Sequence, residues 1–259
     1  MYPYILLFGR KIPSYGVCIV AGVLTASGMA FFRCKKEKLD SNNLIIIITA
    51  SIGGAILGAK LLYILVSYHP MQIIHYIRVG NYNFLIEGGF VFYGGLIFGI
   101  LGAIIGAKIA KTKLELFEKS IVPCIPFGHA IGRIGCFLAG CCYGIQYTGI
   151  GNVRYLNSIT GIDPNITLFP VQIVESIVSI CVGIFLLQYT KKTVCRYNTV
   201  MLYLTLYAIE RFLLEFLRGD LERGVYIGIS TSQWISLIII VGCIIGKLYF
   251  RRIRILENK

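Results

Sequence analysis

The sequence predicts an all-α, polytopic membrane protein. It is read as a single integral membrane domain over residues 1–259, with seven transmembrane helices, the N-terminus outside and the C-terminus inside. Three observations carry this reading. Hydrophobic residues make up 56% of the 259-residue chain and charged residues only 14%, against about 25% charged in an ordinary soluble domain. Apolar runs of the ~20 residues needed to cross ~30 Å of hydrocarbon recur along the chain. The basic residues also segregate to alternate connections.

The runs lie near 14–33, 44–68, 90–110, 120–139, 171–190, 198–217 and 233–250. The first is too long for the h-region of a signal peptide and ends in RCKKEK, not in a small-residue cleavage site, so it reads as a retained helix. The fourth holds Pro123 and Pro126 in its first turns and Arg133 further on. Membrane helices tolerate such prolines when neighbours re-satisfy the backbone.

Arg33, Lys35, Lys36 and Lys38 follow the first run, and Lys108, Lys111, Lys113 and Lys119 separate the third from the fourth. Lys191, Lys192 and Arg196 follow the fifth, and Lys247, Arg251, Arg252, Arg254 and Lys259 follow the seventh. The opposite side carries only Arg10, Lys11, Arg78, Arg154, Arg218 and Arg223. The richer side is cytoplasmic by the positive-inside rule. Topology thus accounts for much of the net charge of +13, and the apolar spans exclude a soluble nucleic-acid binder. Two long outer connections, about 69–89 and 140–170, are rich in Tyr, Asn, Gly and Ile. Such segments cover a site or lie on the membrane surface, as interfacial helix or irregular structure.

An ionisable side chain within a membrane span costs about 2.5–3.5 kcal/mol. Tyr203, Tyr207, Arg211 and Glu215 recur every four residues, and Arg218 follows. They share one helix face, with Glu215 one turn from Arg211 and able to pair with it. The bland alternative is a purely structural ion pair. Arg211 lies about 20 Å up the ~30 Å core, so the stripe rises toward the outer leaflet. Tyr15-Gly16, Gly88-Gly89, Tyr93-Gly94-Gly95 and the segment GRIG (Gly132 to Gly135) reach the same half. Glycines there let a backbone or a ligand approach closely. Arg133 and Arg211 then form an anion clamp beneath the outer headgroups, which suggests a phospholipid headgroup as substrate. Lys60, on the glycine-rich face of the second span, is read either as the partner of a carboxylate such as Glu175 or as part of an anion site.

The stretch GRIGCFLAGCCYG, Gly132 to Gly144, adds Cys136, Cys141 and Cys142. Small apolar packing, a disulfide, a reactive thiol beside Arg133 and a metal site with His129 all remain open.

This stretch resembles the signature of the prolipoprotein diacylglyceryl transferase family, which usually reads like GRIGNFINGELWG. GGFVFYGGLIFG, SYG, GAKLLY, FPVQIVES and ERFLLEFLRGD followed by STSQWISL resemble further family segments, in order, along nearly the whole chain. The resemblance implies a multi-pass enzyme of the bacterial cytoplasmic (inner) membrane, with its site toward the outer leaflet. It would take phosphatidylglycerol from the lipid bilayer and move its diacylglyceryl group to the lipobox cysteine thiol of a prolipoprotein. A thioether forms and glycerol phosphate leaves. No metal, nucleotide or other cofactor is implied, and no nucleic-acid partner.

On this reading Arg133 and Arg211 meet the leaving phosphate, and Glu215 orients Arg211. Tyr15 and Tyr207 position the headgroup, and Lys60, Gly94, Gly95, Cys136, Cys141 and Gly144 line the substrate. The sequence departs from the family pattern at Tyr93, where a histidine is usual, at Cys136 and Ala139, where asparagines are usual, and at Cys141, where a glutamate is usual. Tyr93 is a poor base at neutral pH. His129, four residues before Arg133, is the replacement candidate. The rival readings are a paralogue that uses its cysteines to transfer a different lipid group, and a non-catalytic lipid-binding membrane protein.

Overall fold

The computed structural model describes residues 2–7, 9–82, 85, 89, 91–192, 197–219 and 225–257. Gly88, Cys195, Arg196, Arg223, Lys259 and the side chain of Tyr93 lie outside the described residues.

Helix α1 (Ser14–Lys36) follows a small antiparallel hairpin, β1 (Tyr4–Leu7) with β2 (Arg10–Pro13). Arg33, Lys35 and Lys36 occupy its last turn, where the helix dipole favours cations. Helix α2 (Ser41–Ser67) starts at Asp40, whose side chain accepts from the Asn42 N–H at 2.8 Å. A short helix, α3 (Pro70–Val79), lies in the first long connection, as the sequence suggested for that segment. It is closed by a capping box between His69 and Gln72 and buries none of its residues. Then come α4 (Phe92–Ile109), α5 (Ile125–Ala139), α6 (Val171–Lys192), α7 (Tyr197–Leu214) and α8 (Thr231–Glu257). Short helical turns at Leu114–Leu116, Glu118–Ile121 and Val122–Cys124 lead into α5, and two-residue hairpins pair β3 (Val153–Arg154) with β4 (Thr167–Leu168) and β5 (Val225–Tyr226) with β6 (Ile229–Ser230).

The expected all-α, multi-pass membrane architecture holds at this level. Among the described residues, five stretches are long and apolar enough to cross a membrane: Ser14–Lys36, Ser41–Ser67, Glu118–Ala139, Val171–Lys191 and Thr231–Leu248. The other two expected spans are helical but not among those five. Gly94–Ile109 is shorter, and α7 carries Glu210 and Arg211. Leu57, Leu65, Ile238 and Ile245 are all more than half exposed, as lipid-facing side chains are.

The chain divides into two compact units, Phe31–Phe117 and the combination of Met1–Ala30 with Glu118–Lys259. In the first, α2 packs along α4. A Cβ on Gly94 would collide with the Gly58 carbonyl and come within 2.7 Å of Leu62 Cβ, so only glycine allows this approach. Gly95 faces Ala55 and Ala59, and Ser51 Oγ donates to the Gly99 carbonyl at 3.0 Å. In the second, α1 meets α5 where Gly22 faces Gly128, and Tyr15 and Cys18 back onto Gly135. Ser176 Oγ on α6 donates to the Ala130 carbonyl of α5 at 3.0 Å. Pro126 sits in the first turn of α5, where its missing N–H costs nothing, and Gly140, at φ +73°, ends the helix.

Candidate active site

Four segments of the second unit bring charged side chains to one buried place. Arg133 comes from α5 and Glu175 from the first turns of α6. Arg211 comes from the end of α7, and Glu215 and Arg218 from the 3₁₀ turn after it, Glu215–Leu217, and the next residue. That turn is pinned from outside. Ile145 N–H donates to the Leu217 carbonyl at 3.0 Å, and Gly219 N–H to the Tyr143 carbonyl at 3.0 Å. Gly144 lies between those contacts, where a Cβ would come within 2.9 Å of the Leu217 carbonyl oxygen.

Glu175 is the hub. Its side chain is 2% exposed, and three guanidinium groups surround it. Arg133 Nε is 2.9 Å from Oε2, Arg211 Nη1 is 3.3 Å from Oε1, and Arg218 Nη1 is 3.5 Å from Oε1. Arg211 also meets Glu215 Oε2 through Nη2 at 2.8 Å and donates from the same nitrogen to Ser232 Oγ at 3.0 Å. Each guanidinium carries five donors and the shared carboxylate only two oxygens. Three such forks gathered at one place are suited to receiving an anion such as a phosphate.

A second chain of contacts fixes Arg133. Its Nε–H points at His129 Nε2, 3.2 Å away, so the nearby Glu175 Oε2 holds it by charge and accepts no hydrogen bond. With Nε2 accepting, the ring proton belongs on Nδ1, which faces Ser179 Oγ at 3.2 Å. Ser179 Oγ in turn donates to Glu210 Oε1 at 3.3 Å. Tyr207 stands edge-on to the His129 ring at 5.6 Å, with Tyr203 beyond it at 6.2 Å. Both nitrogens of His129 are thus engaged, which suits it to holding Arg133 more than to taking up a proton.

The cysteines form a third group. The Sγ atoms of Cys136, Cys141 and Cys142 lie within 4.8 Å of one another, and all three are free thiols. Hydrogen bonds from Cys136 and Cys141, with the charges of Arg218 and Arg133, pull the Cys142 thiol below its ordinary range, while donation to its neighbours pushes Cys141 up. Gln172 Nε2 donates to the Cys141 carbonyl at 2.8 Å, and its Oε1 accepts from Tyr155 OH at 3.0 Å. Burial pushes the Tyr155 phenol up to about 12, so it remains a donor.

Of the residues singled out in the sequence, Arg133, Arg211, Glu215, His129 and Tyr207 come together, with Tyr15, Cys136, Cys141 and Gly144 in the same unit. Lys60, Gly94 and Gly95 belong to the other unit. There Lys60 Nζ lies 5.2 Å from the centroid of the Tyr63 ring, and both glycines serve the α2–α4 contact. Sequence reasoning offered Glu175 to Lys60, whereas here three arginines surround it. It counted Arg218 among the outer-side charges and also on the stripe with Arg211 and Glu215, and the structure buries that side chain to 2% exposed. Ser179, Glu210 and Ser232 were missed. A lone carboxylate inside the apolar run 171–190, and Arg218 two turns past Arg211 on the stripe, were the available signals.

Known proteins resemble this chain along nearly its whole length. Residues 3–249 match the family described as prolipoprotein diacylglyceryl transferase. The chain is 36% identical over 237 residues to the phosphatidylglycerol–prolipoprotein diacylglyceryl transferase of Clostridium tetani, covering 91% of this chain and 92% of that one. It is 35% identical over 241 residues to phosphatidylglycerol–prolipoprotein diacylglyceryl transferase 2 of Clostridium perfringens, covering 92% and 91%. For the Clostridioides difficile enzyme of the same name as the first, the identity is 28% over 249 residues, covering 95% and 94%. With the match running through every segment that builds the arginine cluster, the chain belongs to the prolipoprotein diacylglyceryl transferase family.

Proposed function

We propose that the chain transfers the diacylglyceryl group of phosphatidylglycerol to the lipobox cysteine thiol of a prolipoprotein, forming a thioether and releasing glycerol phosphate. The observation that carries this is the convergence of Arg133, Arg211 and Arg218 on one buried carboxylate. The incoming sulfur attacks the glycerol carbon, the carbon–oxygen bond breaks, and negative charge grows on the departing phosphate. Preorganised guanidinium groups in a site of low dielectric stabilise that charge without reorganising. Glu175 and Glu215 hold the forks in place, His129 fixes the plane of Arg133, and Tyr15 and Tyr207 position the headgroup. The segregation of basic residues supports an N-terminus outside, a C-terminus inside and a site in the outer half of the cytoplasmic membrane.

The test is an assay with phosphatidylglycerol and a lipobox peptide that follows the thioether product. Arg133→Ala and Arg211→Ala are each expected to lower transfer at least tenfold, about 1.4 kcal/mol of transition-state stabilisation. Near-wild-type turnover in both variants, with the protein folded, would sink the reading and leave a non-catalytic lipid binder.

A further inference from the structure

Cys136, Cys141 and Cys142 have no part in the phosphate-side chemistry, yet the fold gathers them. Cys136 sits in the last turn of α5, and the chain reverses at Gly140. Cys142 holds φ +58°, a left-handed backbone that costs a non-glycine residue about 1–2 kcal/mol. The outcome is three free sulfurs within 4.8 Å of one another. Three thiolates around a d¹⁰ cation at ~2.3 Å stand about 4 Å apart, so closing on such an ion needs only a small contraction. Thiolate donors select soft or borderline cations over magnesium or calcium. A divalent ion with three thiolates carries one net negative charge. Arg133 and Arg218 both act electrostatically on Cys142, and Arg133 also on Cys136, so that charge is compensated.

We propose that Cys136, Cys141 and Cys142 bind a thiophilic d¹⁰ divalent cation of the zinc class, whose fourth coordination position takes the thiol of the incoming peptide. The second half rests on the transferase reading. The three protein thiols release their protons to solvent as the ion binds, and the peptide thiol releases its own on coordination. The bound sulfur keeps the electron pair that forms the carbon–sulfur bond. The pair of the breaking carbon–oxygen bond leaves with glycerol phosphate, and nothing is oxidised or reduced. Such a site supplies the thiolate that His129, with both nitrogens engaged, is not placed to generate.

The experiment is a titration of the reduced, full-length protein in detergent with cadmium(II), read by the ultraviolet charge-transfer band of cadmium–thiolate bonds, with zinc(II) as competitor. One cadmium per chain is expected. Cys136→Ser, Cys141→Ser and Cys142→Ser should each weaken binding about 100-fold or more, while Cys181→Ser and Cys243→Ser leave it unchanged. If buried Cys136→Ser does not fold, Cys141→Ser, which is less buried, decides. A lipobox peptide should raise the band by about one third, as three thiolates become four, and its Cys→Ser counterpart should not. A missing band, a band indifferent to the three substitutions, a disulfide among these cysteines in untreated protein, or a lipid adduct on one of them overturns the site. A three-cysteine band that ignores the peptide overturns the fourth-position assignment. If instead the thioether assay fails while the band still depends on the three cysteines, the metal site survives and the transferase reading falls.

Discussion

Between α2 and α4 the helices meet because side chains are missing, whereas around Glu175 they meet because side chains of opposite charge are present. In lipid the hydrophobic effect gives no reason for two apolar helices to associate. Close van der Waals contact between small residues does, and Gly58, Gly94 and Gly95 provide it. The cluster on α5, α6 and α7 works against the solvent. It buries carboxylates and guanidiniums that each resist leaving water, and a buried pair of this kind is weak evidence of stability in itself. The first interface is what a membrane protein needs in order to fold. The second is costly enough that its retention points to chemistry.

The largest expected effect follows from removing the hub. Glu175→Ala leaves three guanidinium groups without their shared carboxylate, a loss of about 3–5 kcal/mol for a broken buried network. The thermal midpoint in detergent should fall steeply and transfer should vanish. Glu175→Gln keeps the shape and loses the charge, so it should recover part of the stability and little of the activity. Next comes Gly94→Ala. Its Cβ meets the Gly58 backbone, which has no flexible end to yield, and overpacking of this kind costs about 1–3 kcal/mol. A larger stability loss for Gly94→Ala than for Glu175→Ala would break the contrast between the two regions.

The two regions also differ in how far the sequence revealed them. Helices α1 and α2 were legible because long apolar runs bounded by charges are a one-dimensional signal. The Arg211–Glu215 pair was legible because four residues make one helical turn, and the structure shows it at 2.8 Å. Glu175 with Arg133 and Arg218 was not, because ion pairs between separate segments leave no period in the chain. The burial of Arg218 was hidden for a related reason: loop counting sees its position after α7 but not the backbone bonds from Tyr143 and Ile145 that hold the turn. Gly94 and Gly95 were legible only in part. A run of glycines signals close approach, and the sequence does not say whether a ligand or another helix is what approaches.

Two serines sharpen the comparison at its smallest scale. Ser51 and Ser179 both lie on membrane helices, Ser51 bonded to one neighbouring helix and Ser179 to two. Ser51 gives its proton to a backbone carbonyl, and nothing charged depends on it. Ser51→Ala should therefore cost about 0.6 kcal/mol, the average for such bonds in a membrane bundle, and leave transfer unchanged. Ser179 stands between His129 and Glu210, so its loss strands a ring N–H and a carboxylate oxygen together. Ser179→Ala should cost about 1–3 kcal/mol. It should also slow transfer about threefold or more, because His129 is what orients Arg133. The rate comparison is the sharper of the two. If Ser179→Ala turns over as fast as Ser51→Ala, the His129–Arg133 contact is packing, and the chain of hydrogen bonds running to Glu210 has no share in the reaction.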